Sequence, residues 1–358
     1  MKQSKELDFK GQNIYAGIDV HLKSWSVTVL SESSVLKKFR QDPQPEALHK
    51  FLVTNYPGAT YHSVYEAGFS GLWTHNRLSE LGINNIVVNP ADVPTMSREK
   101  LRKTDAVDCG KLARGLRARD LRGIYIPRAE ILEIRSLIRL RNSIVKDTTR
   151  EKNRIKSLLR FHGIEIPEEF TRHSMGNWSK RFLQWLGEVD MSTEYGRKTL
   201  DLHIEHFVRL REMMLQETKA IRELSHKEPF AEPLRLLMTV PGIGITTGIT
   251  LLMEIDDVSR FKNADQLASY IGLVPMFHSS GEKDGVGDIT IRKHAMLRCY
   301  LIEAAWKAVS KDPAMTMAYE KYRKRMNGNK AIVKIARRLV NRVFFVLKRK
   351  QEYVACVV

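Results

Sequence analysis

Three cysteines in 358 residues, none in a Cys-X-X-Cys pair, give this chain neither a zinc cluster nor a disulfide framework. Cys109, Cys299 and Cys356 stand far apart and read as structural thiols. Long apolar runs are missing too, so no stretch reads as a bilayer span. The opening MKQSKELDFKGQN lacks the apolar core of a signal peptide, and the chain is expected to stay inside the cell. Acidic residues are outnumbered, 41 Asp and Glu against 59 Lys and Arg, for a formal net charge of +18. That excess suits a polyanionic partner, nucleic acid first and an anionic membrane surface second. What the chain does have is a hydrophobic fraction of 43%, enough for folded cores in two or three domains.

The first ordered pattern is YAGIDVHLKSWSVTVL, residues 15–30. Apolar Ile14 to Ile18 leads to Asp19. Beyond a turn near His21 to Ser24, Trp25, Val27 and Val29 alternate with Ser26 and Thr28, which predicts a β-hairpin. A carboxylate in such a strand is costly unless it is solvated at the strand end, hydrogen-bonded or metal-bound. Val35 to Phe39 predicts a third strand and Pro45 to Asn55 a helix. His62 to Tyr65 predicts a strand ending at Glu66, Leu72 to Leu81 a helix stopped by Gly82, and Ile86 to Val88 a short buried strand. This alternation predicts an α/β domain with a mixed sheet. Residues 91–103 read as a polar loop, and Thr104 suits a helix N-cap. Asp105 and Asp108, three apart, then share one helix face, with Leu112 and Leu116 near that side. Acids at a helix start offset its dipole. These two, however, lie between Arg98 and Arg122, a stretch with nine Lys or Arg and four acids.

Arg128 to about Arg160 predicts a long helix with a partial apolar stripe, and about Thr199 to Leu224 a second. The pair suggests an arm that could act as a coiled coil or dimer strut; residues 161–179 between them read as irregular. From Pro233, LRLLMTVPGIGITTGITLLMEI is the pattern of a helix-hairpin-helix element. Gly242 and Gly244 would let the backbone come close to a ligand, and free amides of the second helix would hold a phosphate. A ligand-free helical hinge has the same pattern. A short helix near residues 260–270 precedes the polar, glycine-rich loop FHSSGEKDGVGDITIRKH, where Ser279 and Ser280 neighbour Lys283, Arg292 and Lys293. Helices near 297–309 and 315–325 follow, then a basic amphipathic helix, Lys330 to Lys350. Residues 321–350 hold twelve Lys or Arg and no acid, interleaved with Tyr322, Phe344 and Phe345. Lys334, Arg337, Arg338 and Arg342 are its nucleic-acid-binding candidates, as are Arg98, Lys100, Arg102 and Lys103 ahead of the paired acids.

Asp19, Glu66, Asp105 and Asp108 stand at strand ends and one helix start. Brought together they would repel one another without cations, and hard oxygen ligands suit Mg²⁺ or Mn²⁺. Two such ions can hold a phosphodiester and steady both attacking and leaving oxygens. The chemistry implied is phosphoryl transfer.

At these residues the chain resembles the IS110/IS1111-type, or DEDD, insertion-sequence transposases. The matching pieces are GIDVH at 17–21, EAGFSG at 66–71 and KTDAVDCGKLA at 103–113. They continue with VPGIGITTGITLLMEIDDVSRF, QLASYIGLVP, HSSG and GDIT in the second half. The resemblance implies an α/β RNase H-like (RuvC-like) domain over 1–127, a long helical arm over 128–232, and a mainly α C-terminal transposase domain over 233–358. It implies that Asp19, Glu66, Asp105 and Asp108 bind the metal, and that the serine before glycine, Ser280, is a nucleophile that links to a DNA 5′ phosphate. Ser279 is the neighbouring alternative. It further implies donor and target DNA and a non-coding bridge RNA as partners, and no membrane. Self-association into dimers or tetramers with composite active sites is implied as well, in the cytoplasm of a bacterium or archaeon near the nucleoid. One departure stands out: the family usually carries ITK-x-GN after the serine loop, and here the run is Ile289-Thr290-Ile291-Arg292-Lys293-His294, without Gly-Asn. A RuvC-like junction resolvase or metal-dependent nuclease, in which water attacks, and a non-catalytic nucleic-acid-binding protein are the alternatives.

Overall fold

A five-stranded sheet organises the first half of the chain. Its strands are β1 (Asn13–Val20), β2 (Trp25–Leu30), β3 (Val35–Gln41), β4 (Thr60–Glu66) and β5 (Asn84–Val88), in the order β3-β2-β1-β4-β5. β1, β2 and β3 are antiparallel neighbours, whereas β4 lies parallel to both β1 and β5. This computed structural model describes residues 8–94, 105–172, 178–280 and 283–355. The chain divides into two compact units, Met1–Ile126 and Pro127–Val358.

In the first unit, alternation along the strands sorts side chains between two faces. Ile14, Ala16 and Ile18 of β1 and Tyr65 of β4 pack with Leu48 and Leu52 of α1 (Pro45–Asn55) and Leu78 of α2 (Trp73–Glu80). Tyr15 and Val64 face the other way, where α3 (Asp105–Arg117) supplies Leu112 and Ala113. The mixed sheet with helices on both faces is RNase H-like. Thr104, the expected cap of α3, lies outside the described residues.

Among its described residues, the second unit is helical apart from one hairpin. α4 (Ala129–Phe161) runs out and α7 (Glu194–Leu224) returns beside it, giving the expected arm. α7 starts five residues earlier than its apolar pattern suggests, because Thr193 caps it by accepting from the Gly196 N–H. The stretch expected to be irregular holds the single turn α5 (Glu168–Thr171), followed past it by α6 (Lys180–Glu188). Phe170, Trp178, Phe182 and Phe207 form a small core there. The other end of the arm, through Ile131, Ile138 and Ile221, belongs to the core of the C-terminal helices. These are α8 (Ala231–Met238), α9 (Ile245–Ile255), α10 (Ala264–Ile271), α11 (Ala295–Lys311), α12 (Pro313–Arg323) and α13 (Gly328–Arg349). The expected glycine-rich loop is instead largely a two-stranded antiparallel sheet, β6 (Pro275–Ser280) with β7 (Lys283–Ile289). No helix among the described residues is long and apolar enough to cross a membrane.

Candidate active site

The strand alternation that builds the core also aims the carboxylates. Tyr15 and Gly17 of β1 face α3, and so does Val64 of β4. Two residues further along each strand come Asp19 and Glu66. β1 and β4 are parallel and in register through Ile18 and Tyr65, so the next step sets Asp19 beside Glu66. The carboxyl ends of parallel strands are where open α/β sheets commonly bind ligands.

α3 brings the third acid because it lies unusually close to β1. A Cβ on Gly17 would stand 2.1 Å from the Cys109 carbonyl oxygen and 2.5 Å from the Ala113 nitrogen. Glycine alone admits the helix at that distance. Cys109 is buried against the sheet, 3.1 Å from Thr28 Oγ1, and burial pushes its thiol up, which makes it an inert packing residue. One turn of α3 before Leu112 stands Asp108.

Asp19, Glu66 and Asp108 line one cleft of about 430 Å³, together with His21, Phe69 and Leu112. His21 Nε2 stands 3.1 Å from Asp19 Oδ2. Lys111 Nζ lies 3.7 Å from Asp108 Oδ1 and 3.9 Å from Glu66 Oε1. A mostly buried ammonium between two carboxylates offsets part of their mutual repulsion. Asp105 opens α3, and its side chain lies outside the described residues. Among the described residues, no three acids, histidines or cysteines stand close enough to hold one ion. The donor chemistry fits a hard divalent cation; the three described acids share a cleft without closing into a cage. Lys111 and His21 carried no role in the sequence reading. The signal for Lys111 was present as a third step in the Asp105, Asp108, Lys111 spacing.

Ser279 and Ser280 are strand residues of β6, opposite Asp284 and Lys283 in the hairpin register. The side chains of Ser279, Ser280 and Lys283 lie outside the described residues, as do Arg98, Lys100, Arg102 and Lys103 altogether. Arg292 and Lys293 are exposed just ahead of α11. His294, at the position where the family pattern has Asn, accepts the Leu297 N–H and caps α11 as an asparagine would. The helix start therefore survives without Gly-Asn.

In the helix-hairpin-helix element, Gly242 has φ +89°, and a Cβ there would meet the Ala304 carbonyl oxygen at 2.2 Å, so this glycine lets α11 pack against the turn. Gly244 caps α9 in open space. On α13, Lys334 and Arg338 stand over the Tyr322 ring at 5.2 and 5.5 Å, and Arg342 stands over Tyr353 at 5.7 Å. Arg337 pairs with Asp265 and Asn341. These cations are partly engaged within the protein, while Lys334 and Arg338 remain exposed.

The RNase H-like sheet, with acids at the ends of β1 and β4 and on α3, puts the chain in the RNase H-like class of nucleic-acid-processing proteins. Residues 16–164 match the model of DEDD transposases of the IS110 type, and residues 234–320 match that of the IS116/IS110/IS902 transposase family. The chain belongs to the IS110/IS1111 family of DEDD transposases. It is 30% identical over 242 residues to a putative transposase, y4qE, of Sinorhizobium fredii, covering 68% of this chain and 57% of that protein. It is 28% identical to the transposase for insertion sequence element IS1533 of Leptospira borgpetersenii, covering 70% and 72%. With the transposase for IS1111A of Coxiella burnetii the identity is 24%, covering 76% and 74%.

Proposed function

We propose that this chain is a Mg²⁺- or Mn²⁺-dependent recombinase of an insertion element that cuts and rejoins DNA with a serine nucleophile. The observation that carries the reading is the meeting of Asp19, Glu66 and Asp108, from three elements far apart in sequence, at one cleft. Asp105 is the fourth acid. When bound between these acids, divalent ions supply charge neutralisation at the phosphate and a lowered pKa for the attacking hydroxyl. Ser280 Oγ attacks the scissile phosphorus: the Oγ–P bond forms and the P–O3′ bond breaks. The 3′ oxygen leaves with the proton the hydroxyl gives up. The DNA 5′ phosphate stays on the serine until a 3′ hydroxyl attacks it, forms the new P–O3′ bond and returns a proton to Oγ. Lys111 balances charge among the acids. Arg292, Lys293, Lys334 and Arg338 hold nucleic-acid backbone, and pairing with a bridge RNA selects the DNA sequence. Serine and acids come from different protomers of a dimer or tetramer.

Incubation of the protein with element-end DNA carrying a 3′ label on the cleaved strand, its RNA and Mg²⁺ tests this. A covalent protein–DNA adduct is expected for the native chain and for Ser279→Ala, and none for Ser280→Ala, whose DNA and RNA binding is expected to persist. Cleavage without any adduct would establish the water-using nuclease instead. An adduct from Ser280→Ala would remove that serine from the mechanism.

A further inference from the structure

Glu254 is the one acid in the apolar helix α9, and its side chain is fully buried. A carboxylate in a core is unfavourable unless partners compensate it, and an apolar residue of similar size often serves stability as well. Its partners come from separate segments. Arg139 of α4 donates from Nε to Oε1 and from Nη2 to Oε2, each at 2.8 Å, and His294 Nε2 stands 3.2 Å from Oε2. Arg135 Nε lies 3.6 Å from Oε2 and donates to the Met253 carbonyl. The Glu254 carbonyl accepts from Tyr270 Oη at 3.1 Å. Burial alone would raise the Glu254 carboxyl, but its hydrogen bonds to His294 and Arg139 bring it down to about 2.

His294 stands at the foot of the β6–β7 hairpin. Its N–H donates to the Ile271 carbonyl, the Thr290 N–H donates to Val274, and Arg298 donates to the Thr290 carbonyl. Gly272, at φ +86°, packs tightly against Arg292 and Lys293; a Cβ there would stand 2.5 Å from Lys293 Cβ. β6 and β7 form a sheet of their own, and the described residues of the hairpin are held at this foot, where Lys330 of α13 also pairs with Asp288 at 3.0 Å. Ser280 lies five residues beyond Pro275, about 17 Å along the strand. A tilt of about 10° at the foot would move it by about 3 Å, when a misplacement of about 1 Å can cost about 100-fold in rate.

We infer that Glu254 is a positioning residue: by joining Arg139 of the arm to His294 at the hairpin foot, it fixes where the hairpin carries Ser280. The inference rests on the serine reading above. Two variants test it without emptying the buried site. His294→Asn keeps a good helix cap but gives up the reach to Glu254. Arg139→Lys keeps a charge on a side chain that is 57% exposed but loses the two-pronged contact. Each is expected to slow single-turnover adduct formation from pre-bound DNA by roughly 10- to 100-fold. DNA affinity should stay native, melting temperature should fall only slightly because other partners of Glu254 remain, and the double variant should be no slower than the slower single, as for residues acting as one unit. Native rates in both singles would overturn the inference, and so would a slowing matched by a proportional loss of melting temperature. If the native chain forms no adduct, the serine reading itself fails. Amide exchange then decides the positioning role. Faster exchange confined to residues 271–298 in Arg139→Lys supports it, and unchanged exchange overturns it.

Discussion

Gly17 shows how one residue sets the geometry of the candidate site without touching any ligand. It lies between two buried β1 residues, and α3 rests on it so closely that its missing Cβ is the space the Cys109 carbonyl occupies. Asp108 is fixed by that contact, because the helix places it relative to Asp19 and Glu66 along the strands. Gly17→Ala should therefore destabilise the chain by about 1–3 kcal/mol in denaturant unfolding, as overpacking does. It should also weaken Mg²⁺-induced thermal stabilisation by displacing Asp108. Gly187 is a fitting contrast, since a Cβ there meets nothing within 4 Å on a helix. Gly187→Ala should leave the Mg²⁺ response native and raise stability by up to about 1 kcal/mol. An equal loss in both variants would mean that the close approach of α3 has no special role.

At the scale of elements, the arm keeps its register through buried polar contacts as well as apolar ones. Glu151 of α4 is fully buried and meets His203 and His206 of α7 at 2.5 and 3.2 Å. Burial would raise its carboxyl, yet hydrogen bonds to His203 and Arg154 leave it lowered. The far end of the arm depends on aromatic packing: the Phe182 ring is fully buried, with centroids of Phe170 and Trp178 each 5.2 Å away. Phe182→Ala should cost about 3–5 kcal/mol. Protease cleavage should then concentrate between residues 161 and 200, while the first unit, Met1–Ile126, keeps its native resistance; uniform cleavage along the chain would contradict an autonomous tip core. The sequence made the two long helices of the arm and the strands of the first unit visible, but not the tip core. An apolar run marked β1, the alternation of Trp25, Val27 and Val29 with Ser26 and Thr28 marked β2, and Gly82 ended α2 where expected. The hairpin β6–β7 and the start of α7 were hidden for identifiable reasons. Glycines 281, 285 and 287 diluted the strand pattern of β6 and β7, whose pairing depends on partner backbone rather than apolar side chains. The first turn of α7 is polar, so only the Thr193 cap announced it. In the site, Asp19, Glu66 and Asp108 were legible as acids at element ends. Lys111 was visible only as a helical step beyond Asp108, and Gly17 and Glu254 were not legible, because each matters through a neighbour that only the folded chain supplies.

For the whole molecule, the proposed chemistry is divided between two compact units: the acids lie in the first and Ser280 in the second. A net charge of +18 would hold both units on a polyanion, with affinity falling steeply as salt rises. The composite-site reading makes a prediction that a site contained within one protomer does not. In a dimer formed from Asp19→Asn and Ser280→Ala chains, exchange between protomers makes one site doubly defective. The other combines native acids from the second chain with a native serine from the first. With sites contained within protomers, both would be defective. Equal mixing leaves half of the dimers mixed, each with one intact site, so about a quarter of native adduct should return. Each variant alone should form none. The measurement is adduct yield after co-refolding or co-expression of the two chains, with a doubly substituted chain mixed with Asp19→Asn as the control that cannot complement. Absence of adduct from the mixture, with mixed dimers verified by mass, would assign acids and serine to the same protomer and require the two units of one chain to close on the DNA together.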